Sequence, residues 1–213
     1  MPKVDSLVQV MINGEKKCLA ISEFESFFNI RFAPYLDFQD VSIKQSISKQ
    51  IAKLHKRGEL TYRQLWQGVY YRKEIESSYL PDVTLTWIDP SVGWGVFANR
   101  LFKKGEYLGE YCGVVRKRIR SDKKNAYCFE YLFSQENPTP YVIDAREQGG
   151  IVRFINHSNA PNVLTDLATF DDMTHVILVA SEQISKGDQI LYDYGPDYWS
   201  CRSAPKQLYS QMN

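Results

Sequence analysis

Apolar and polar positions along the chain follow two different rhythms, and the change between them falls near residue 82. Leu7 to Ile12 and Glu15 to Ile21 read as short strands on either side of Asn13-Gly14. A type I′ turn needs positive φ at both central positions, which Asn-Gly adopts at little cost, so a hairpin is predicted. Two strands are marginal alone, so this hairpin must dock on something. Val41, Ile43, Ile47, Ile51 and Leu54 recur at near-helical spacing, and Lys56-Arg57-Gly58 supplies a basic last turn and a glycine stop. Thr61 can cap a second helix whose apolar stripe would be Leu65, Trp66, Val69, Tyr70 and Ile75. Together these predict a helical hairpin closed by Pro81. Tyr62, Trp66, Tyr70, Tyr71 and Tyr79 read more readily as a surface docking on the rest of the chain than as a ligand cage.

From Val83 onward the pattern becomes short strands separated by Gly, Pro, Asn and Asp. Val83 to Ile88, Gly95 to Ala98, Tyr107 to Val115, Tyr127 to Phe133, Tyr141 to Ala145, Val163 to Thr169, His175 to Ala180 and Gln189 to Tyr192 are the candidates. Strands this short and this frequent indicate a β-rich domain. Residues 1–81 are therefore expected as an N-terminal module of hairpin plus helices, packed on a β domain spanning 82–196.

Composition narrows the function classes. A chain of 213 residues buries a real core. Its formal net charge of +1 gives no global field toward nucleic acid or membrane. The four cysteines, Cys18, Cys112, Cys128 and Cys201, are scattered without a Cys-x-x-Cys pair, against both a disulfide framework and a zinc site. A reduced cytoplasmic or nuclear setting is expected. Met1 to Gly14 shows no Sec-type signal, and no apolar run approaches a membrane span. The dense basic run Arg116 to Lys124 reads as a solvated loop, with a nucleic-acid-attracting patch as the alternative. It has no interleaved aromatic for base stacking.

One decapeptide does not serve ordinary folding. In Arg153-Phe154-Ile155-Asn156-His157-Ser158-Asn159-Ala160-Pro161-Asn162 an apolar segment gives way to turn residues. Two distant blocks accompany it, Gly93-Trp94-Gly95-Val96-Phe97-Ala98 and Ile190-Leu191-Tyr192-Asp193-Tyr194-Gly195. The first is no dinucleotide fingerprint, because its spacing opens no phosphate-binding helix. No Gly-x-Ser-x-Gly elbow accompanies Ser158, and His157 is too close in sequence to serve it as a separate base, against a hydrolase.

These three blocks, with Gly109-Glu110-Tyr111-Cys112-Gly113 and Tyr141-Val142-Ile143-Asp144-Ala145 between them, resemble the SET-domain protein lysine methyltransferases over about residues 82 to 200. The resemblance implies a mainly β fold with a helical N-terminal part (α+β), several small sheets (a β-clip) and a C-terminal pseudoknot. The pseudoknot would set Asn156-His157 beside Tyr192-Asp193-Tyr194. It implies S-adenosyl-L-methionine as cofactor, held by Val92, Gly93, Trp94, Tyr127, Arg153, Asn156, His157 and Tyr194. Tyr194 is the implied central catalytic group and Tyr127 the family's other active-site tyrosine, with Tyr131 as the alternative register. A hydroxyl at Tyr192 would favour mono- or dimethylation over trimethylation.

The chain departs from the family in its cysteines. Many relatives have cysteine where Asn159 stands and a zinc-binding tail beyond. Here residues 197–213 hold Cys201 alone, so no metal is expected, and Tyr198, Trp199 and Tyr209 would close the channel by packing. The compact form resembles the SET proteins of bacteria, including chlamydia-like intracellular ones, which implies histone or histone-like, lysine-rich protein partners and no sequence-specific nucleic acid. It also leaves open export into a host cell. A catalytically silent SET module that binds a lysine-containing tail is the rival reading.

Overall fold

A computed structural model describes residues 7–134, 137–200 and 202. In chain order its elements are β1 (Leu7–Ile12), β2 (Glu15–Ala20), α1 (Ile21–Phe28), β3 (Arg31–Phe32), β4 (Asp37–Phe38), α2 (Val41–Lys56), α3 (Tyr62–Tyr70) and α4 (Arg72–Glu76). Then follow β5 (Val83–Asp89), β6 (Gly93–Ala98), β7 (Tyr107–Glu110), β8 (Val114–Lys117), β9 (Cys128–Glu130), β10 (Tyr141–Asp144) and β11 (Gln148–Gly149). β12 (Asn156–His157), β13 (Val163–Phe170), β14 (Met173–Ala180), β15 (Leu191–Tyr192) and α5 (Pro196–Trp199) follow. The fold is mostly β, in several small sheets with a few helices.

The hairpin forms as its turn chemistry demands. Asn13 and Gly14 take φ of 52° and 79°, and β1 pairs β2 from Leu7↔Ala20 to Ile12↔Glu15. It docks edge-on: β1 runs parallel to β5, giving the sheet order β2-β1-β5-β6. The two-residue strands β4 and β3 extend two further sheets, β4-β8-β10-β9 and β11-β3. Residues on both sides of position 82 thus share sheets, and they share one core, in which Val10, Phe24, Ile47 and Ile51 join Leu85, Val96, Ile143 and Leu178.

The helices are capped at Thr61 and stopped at Gly58 as expected, and Asp40 caps α2 as well. Asp40 accepts from the Ile43 amide at 2.9 Å, Thr61 accepts from Gln64 at 3.2 Å, and Gly58 ends the α2 segment with φ of 68°. The apolar stripe assigned to α3 is corrected. Trp66, Val69 and Tyr70 are exposed, and Gln64, Gln67 and Gly68 are the buried residues of the helix. The cause is a backbone contact: a Cβ on Gly68 would lie 2.0 Å from the Thr169 carbonyl oxygen, so α3 presses main chain to main chain on β13. Gln64 then reaches the Phe133 carbonyl and Thr169 Oγ1, each at 2.6 Å, and Gln67 reaches Asp166 at 2.9 Å. The predicted helical hairpin is corrected with it, since α3 packs across β13, and α2 lies against β14 and β4. Tyr107 to Val115 is two strands in different sheets. They divide at Gly113, where a Cβ would meet the Asp144 carbonyl oxygen at 2.5 Å.

Two arginines of the basic run are bound internally. Arg116 ion-pairs Asp122 at 2.6 Å and Asp144 at 2.7 Å, and Arg118 pairs Glu130 at 2.6 Å.

Candidate active site

The largest sheet, β12-β15-β13-β14-β7, brings the distant blocks together. β12 runs parallel to β15, with Asn156 opposite Leu191 and His157 opposite Tyr192. β13 pairs the same short strand at Val163↔Tyr192. Asn162 clamps the crossing by donating to the Gln189 carbonyl at 2.8 Å and accepting from the Leu191 amide at 2.9 Å. The juxtaposition expected of residues 156–157 and 192–194 is therefore present.

Asn156 Nδ2 donates to the Trp94 carbonyl at 3.1 Å, tying the glycine-rich turn to this crossing. The turn itself is built by Asp89, whose carboxylate accepts from the amides of Ser91 at 2.7 Å and Val92 at 2.9 Å. Those bonds, with the Ser91 hydroxyl first, hold the Asp89 carboxyl below its ordinary range. Gly93 sits at φ of 81° with open space where a Cβ would point. Gly95 is crowded instead: a Cβ there would lie 2.8 Å from Gln189 Nε2 and 3.1 Å from Asn156 Nδ2. Phe27 and Phe28 of α1 pack edge-on against Trp94, with centroids at 5.7 and 5.1 Å.

His157 fixes the other end. The Tyr194 amide donates to its Nδ1 at 3.2 Å, so that nitrogen is an acceptor and Nε2 is the donor, toward Asn159 Oδ1 at 3.1 Å. Asp193 also lies 3.5 Å from Nδ1, but the main-chain amide can only donate and decides the tautomer. Tyr194 OH donates to the Ile155 carbonyl at 2.9 Å. Around its ring stand Tyr192 at 4.7 Å, Tyr198 at 4.6 Å and His157 at 5.4 Å, with Trp199 stacked at 6.1 Å. Burial pushes the phenols of Tyr192 and Tyr194 well above the ordinary range, and neighbouring phenols add to the effect. Tyr209 and Cys201 lie outside the described residues.

Tyr127 stands at the rim, partly exposed, with the Arg153 guanidinium 3.9 Å from its ring centroid. Arg153 is buried enough that desolvation lowers its pKa, and it is held by the carbonyls of Ala145 at 2.7 Å and Arg146 at 3.2 Å. A relay positions this tyrosine: Asp144 accepts from Asn125 Nδ2 at 2.8 Å, and Asn125 Oδ1 accepts from the Tyr127 amide at 3.0 Å. Tyr131, the alternative register, is fully buried and spends its hydroxyl on the Thr174 carbonyl at 2.9 Å.

Sequence reasoning quoted Tyr111 in a block but assigned it no role. Its hydroxyl donates to the Tyr127 carbonyl at 3.0 Å, and burial first, then the nearby Tyr194, raises its pKa. It therefore stands with Tyr192 and Tyr194 in one buried phenol cluster. Gln189 was missed as well. Its Nε2 and Trp199 Nε1 are buried donors without a partner among the described residues. Gln189 lies against Gly95 and Trp199 against His157, and each unsatisfied donor costs of order 1–3 kcal/mol, so each suits an acceptor atom of a ligand.

Residues 93–195 match the family model described as SET domain. Over 112 residues the chain is 41% identical to N-lysine methyltransferase KMT5A of Xenopus tropicalis, covering 48% of this chain and 33% of that protein. It is 37% identical over 112 residues to Histone-lysine N-methyltransferase Set8 of Drosophila pseudoobscura pseudoobscura, covering 48% of this chain and 16% of that one. A solved structure of KRYPTONITE in complex with mCHG DNA and SAH aligns at 30% identity and a TM-score of 0.44, over 53% of this chain and 23% of that chain. The matched region thus spans a third or less of these curated relatives.

Proposed function

We propose, from the match of residues 93–195 to the SET domain, that the protein is an S-adenosyl-L-methionine-dependent protein-lysine N-methyltransferase. The observation that carries this reading is the linked path Trp94 carbonyl, Asn156, His157, Tyr194 amide, which joins the glycine turn to a buried phenol cluster. The turn's open side at Gly93 and the orphan donors of Gln189 and Trp199 suit a cofactor with a carboxylate, hydroxyls and ring nitrogens. Val92, Gly93, Trp94, Arg153, Asn156 and His157 would hold it, with Tyr127 and Tyr194 at its reactive end. When bound, it supplies an electrophilic methyl group on a sulfonium.

The chain's own residues prepare the nucleophile. A lysine amine has a reference pKa of about 10.4, and protonated it has no lone pair. The buried rings of Tyr111 and Tyr192 and the partly buried ring of Tyr194 would enclose the site, an environment that disfavours the ammonium form. Because Tyr194 and Tyr111 each spend their proton on a main-chain carbonyl, their oxygens would be left to a substrate amine as acceptors. An acceptor there binds an N–H of the neutral amine and turns its lone pair toward the methyl. Alignment of this kind accounts for a large part of the acceleration in such displacements. No carboxylate needs to act as general base.

The substrate is proposed to be a lysine-rich basic protein, histone or histone-like, laid along a strand edge. The names of the relatives support that class. The Tyr192 hydroxyl supports one or two methyl groups per lysine. A reduced cytoplasmic setting, or a nuclear one after export into a host cell, belongs to the same proposal and rests on the scattered cysteines. Incubating the full chain with methyl-labelled cofactor and a mixture of histones and other basic proteins tests it. Label on protein is expected. Cofactor binding without transfer to any of them would favour the silent tail-binding module instead.

A further inference from the structure

We propose that the protein carries a second binding site, where α4 meets β7, that takes the mono- or dimethylated ammonium head of a lysine side chain. The site is a recess of about 370 Å³ walled by Tyr70, Tyr71, Tyr79 and Tyr107 and bordered by Glu74. It lies in a small apolar cluster of its own, formed by Tyr71, Ile75, Tyr107, Ala168, Ile177 and Val179, away from the phenol cluster around Tyr194. Tyr107 is the hub, with ring centroids 5.6 Å from Tyr71 and 6.1 Å from Tyr79. Tyr70 closes one side edge-on to Tyr71 at 4.8 Å and stacks on Trp66 at 4.6 Å, carrying the aromatic surface outward.

Three features point to a cation. Aromatic faces attract positive charge, most effectively where water is excluded. Neighbouring rings already hold one: Arg72 lies 5.0 Å from the Phe170 centroid and Arg100 lies 4.1 Å from that of Phe102. Among the described residues no cation sits over the ring face of Tyr70, Tyr71, Tyr79 or Tyr107, although Arg100 donates to the Tyr79 hydroxyl at 3.3 Å. The third feature is Glu74, whose Oε2 is buried without a hydrogen-bond partner among the described residues. Glu106, on the same wall, is already occupied by Arg100 and by the Lys103 amide. Lys73 stands at the rim, but adjacent residues on a helix do not face each other, and no ion pair joins it to Glu74 among the described residues.

The orphan oxygen selects among cations. It is an acceptor and needs an N–H, which mono- and dimethylammonium carry and trimethylammonium lacks. An unmethylated ammonium has N–H groups but is strongly hydrated, so moving it against aromatic rings costs more. A dimethylammonium head supplies one N–H for Glu74 and two methyl groups for the tyrosine faces. The methyl-transfer reading above bears on where such a ligand would come from, since its products are of this class. The recess does not depend on it.

Titration of the full-length chain with Nα-acetyl-Nε,Nε-dimethyllysine amide, followed by NMR of the tyrosine rings, tests the site. Three comparison ligands are the trimethyl form, the unmethylated form and a neutral isostere with carbon in place of nitrogen. The dimethyl form is expected to bind about tenfold more tightly than the isostere and more tightly than the other two, with shifts at Tyr71 and Tyr107. Glu74→Gln should remove about tenfold of that affinity. The exposed Tyr70→Ala, which leaves the core intact, should remove about threefold. Equal binding of the isostere, indifference to both substitutions, or shifts confined to Tyr192 and Tyr194 would overturn the proposal. Loss of methyl transfer with binding retained would instead count against the catalytic reading alone.

Discussion

The Tyr194 hydroxyl donates to the Ile155 carbonyl at 2.9 Å, joining residues 39 positions apart in the chain. That bond commits the phenol's proton to the main chain. In the proposed reaction the oxygen would therefore meet an incoming amine as an acceptor.

A pH dependence follows. Burial holds the Tyr194 phenol protonated far above neutrality, so in the proposed reaction its titration should not limit the rate in that range. The substrate amine must be neutral, and its neutral fraction grows about tenfold per pH unit below its pKa. The expected kcat/KM on a lysine peptide therefore rises steadily from pH 6 to 9. A bell-shaped profile with an acid limb near the carboxylate range would indicate a general-base carboxylate and contradict this mechanism.

The two glycines of the turn should respond differently to alanine. Gly93→Ala meets open space but must hold φ at 81°, a strain of about 1–2 kcal/mol for a residue with a Cβ. Gly95→Ala drives a methyl into Ile88, Gln189 and Asn156, and Asn156 is the side chain holding Trp94. Calorimetry with S-adenosyl-L-methionine should show Gly95→Ala losing more affinity than Gly93→Ala. The reverse order would place the cofactor elsewhere.

Asp144 links acid stability to the site. Burial alone would raise its pKa, but hydrogen bonds from Arg116, Asn125 and the Arg146 amide outweigh that and depress it. A depressed carboxylate contributes stability that is present above the unfolded value of about 3.9 and is lost as pH falls through the folded one. Asp144→Asn should therefore be less stable than wild type at pH 6, with the gap closing below about pH 4. Chemical denaturation at several pH values checks this. A gap that stays constant with pH would show that the charge of Asp144 does not stabilise the fold.

On α3 the buried residues are the polar ones. Gln64→Leu removes the shorter of two hydrogen bonds to the Phe133 carbonyl and the bond to Thr169, and should cost about 1–3 kcal/mol. Trp66→Ser, on the exposed face, should stay within about 1 kcal/mol of wild type. Comparable losses from the two in urea titrations would restore the apolar stripe as the docking face.

That helix shows where the sequence stops being legible. The Asn13-Gly14 hairpin and the spacing of Ile43, Ile47 and Ile51 report local demands, and both elements stand as read. Which face of α3 is buried depends on Gly68 meeting Thr169, a contact between residues about a hundred positions apart that no local period encodes. The strands β3, β4 and β11 are two residues each and exist only through their partners, so no pattern marks them. In the site, Asn156, His157 and Tyr194 were legible from their blocks, and their mutual bonds follow from the β12–β15 pairing. Tyr111 looked like an ordinary strand aromatic. Only its hydroxyl's reach to Tyr127 reveals it.

The most direct test of the account is residue-resolved mass spectrometry of a lysine-rich protein after incubation with methyl-labelled S-adenosyl-L-methionine and either wild-type chain or Tyr194→Phe. One or two methyl groups on lysine Nε are expected from wild type. The folded variant, lacking the acceptor oxygen, should be slower by about 100-fold, the upper range for an alignment hydrogen bond to a reacting group. Methyl groups on arginine, or an unchanged rate in the variant, would contradict it.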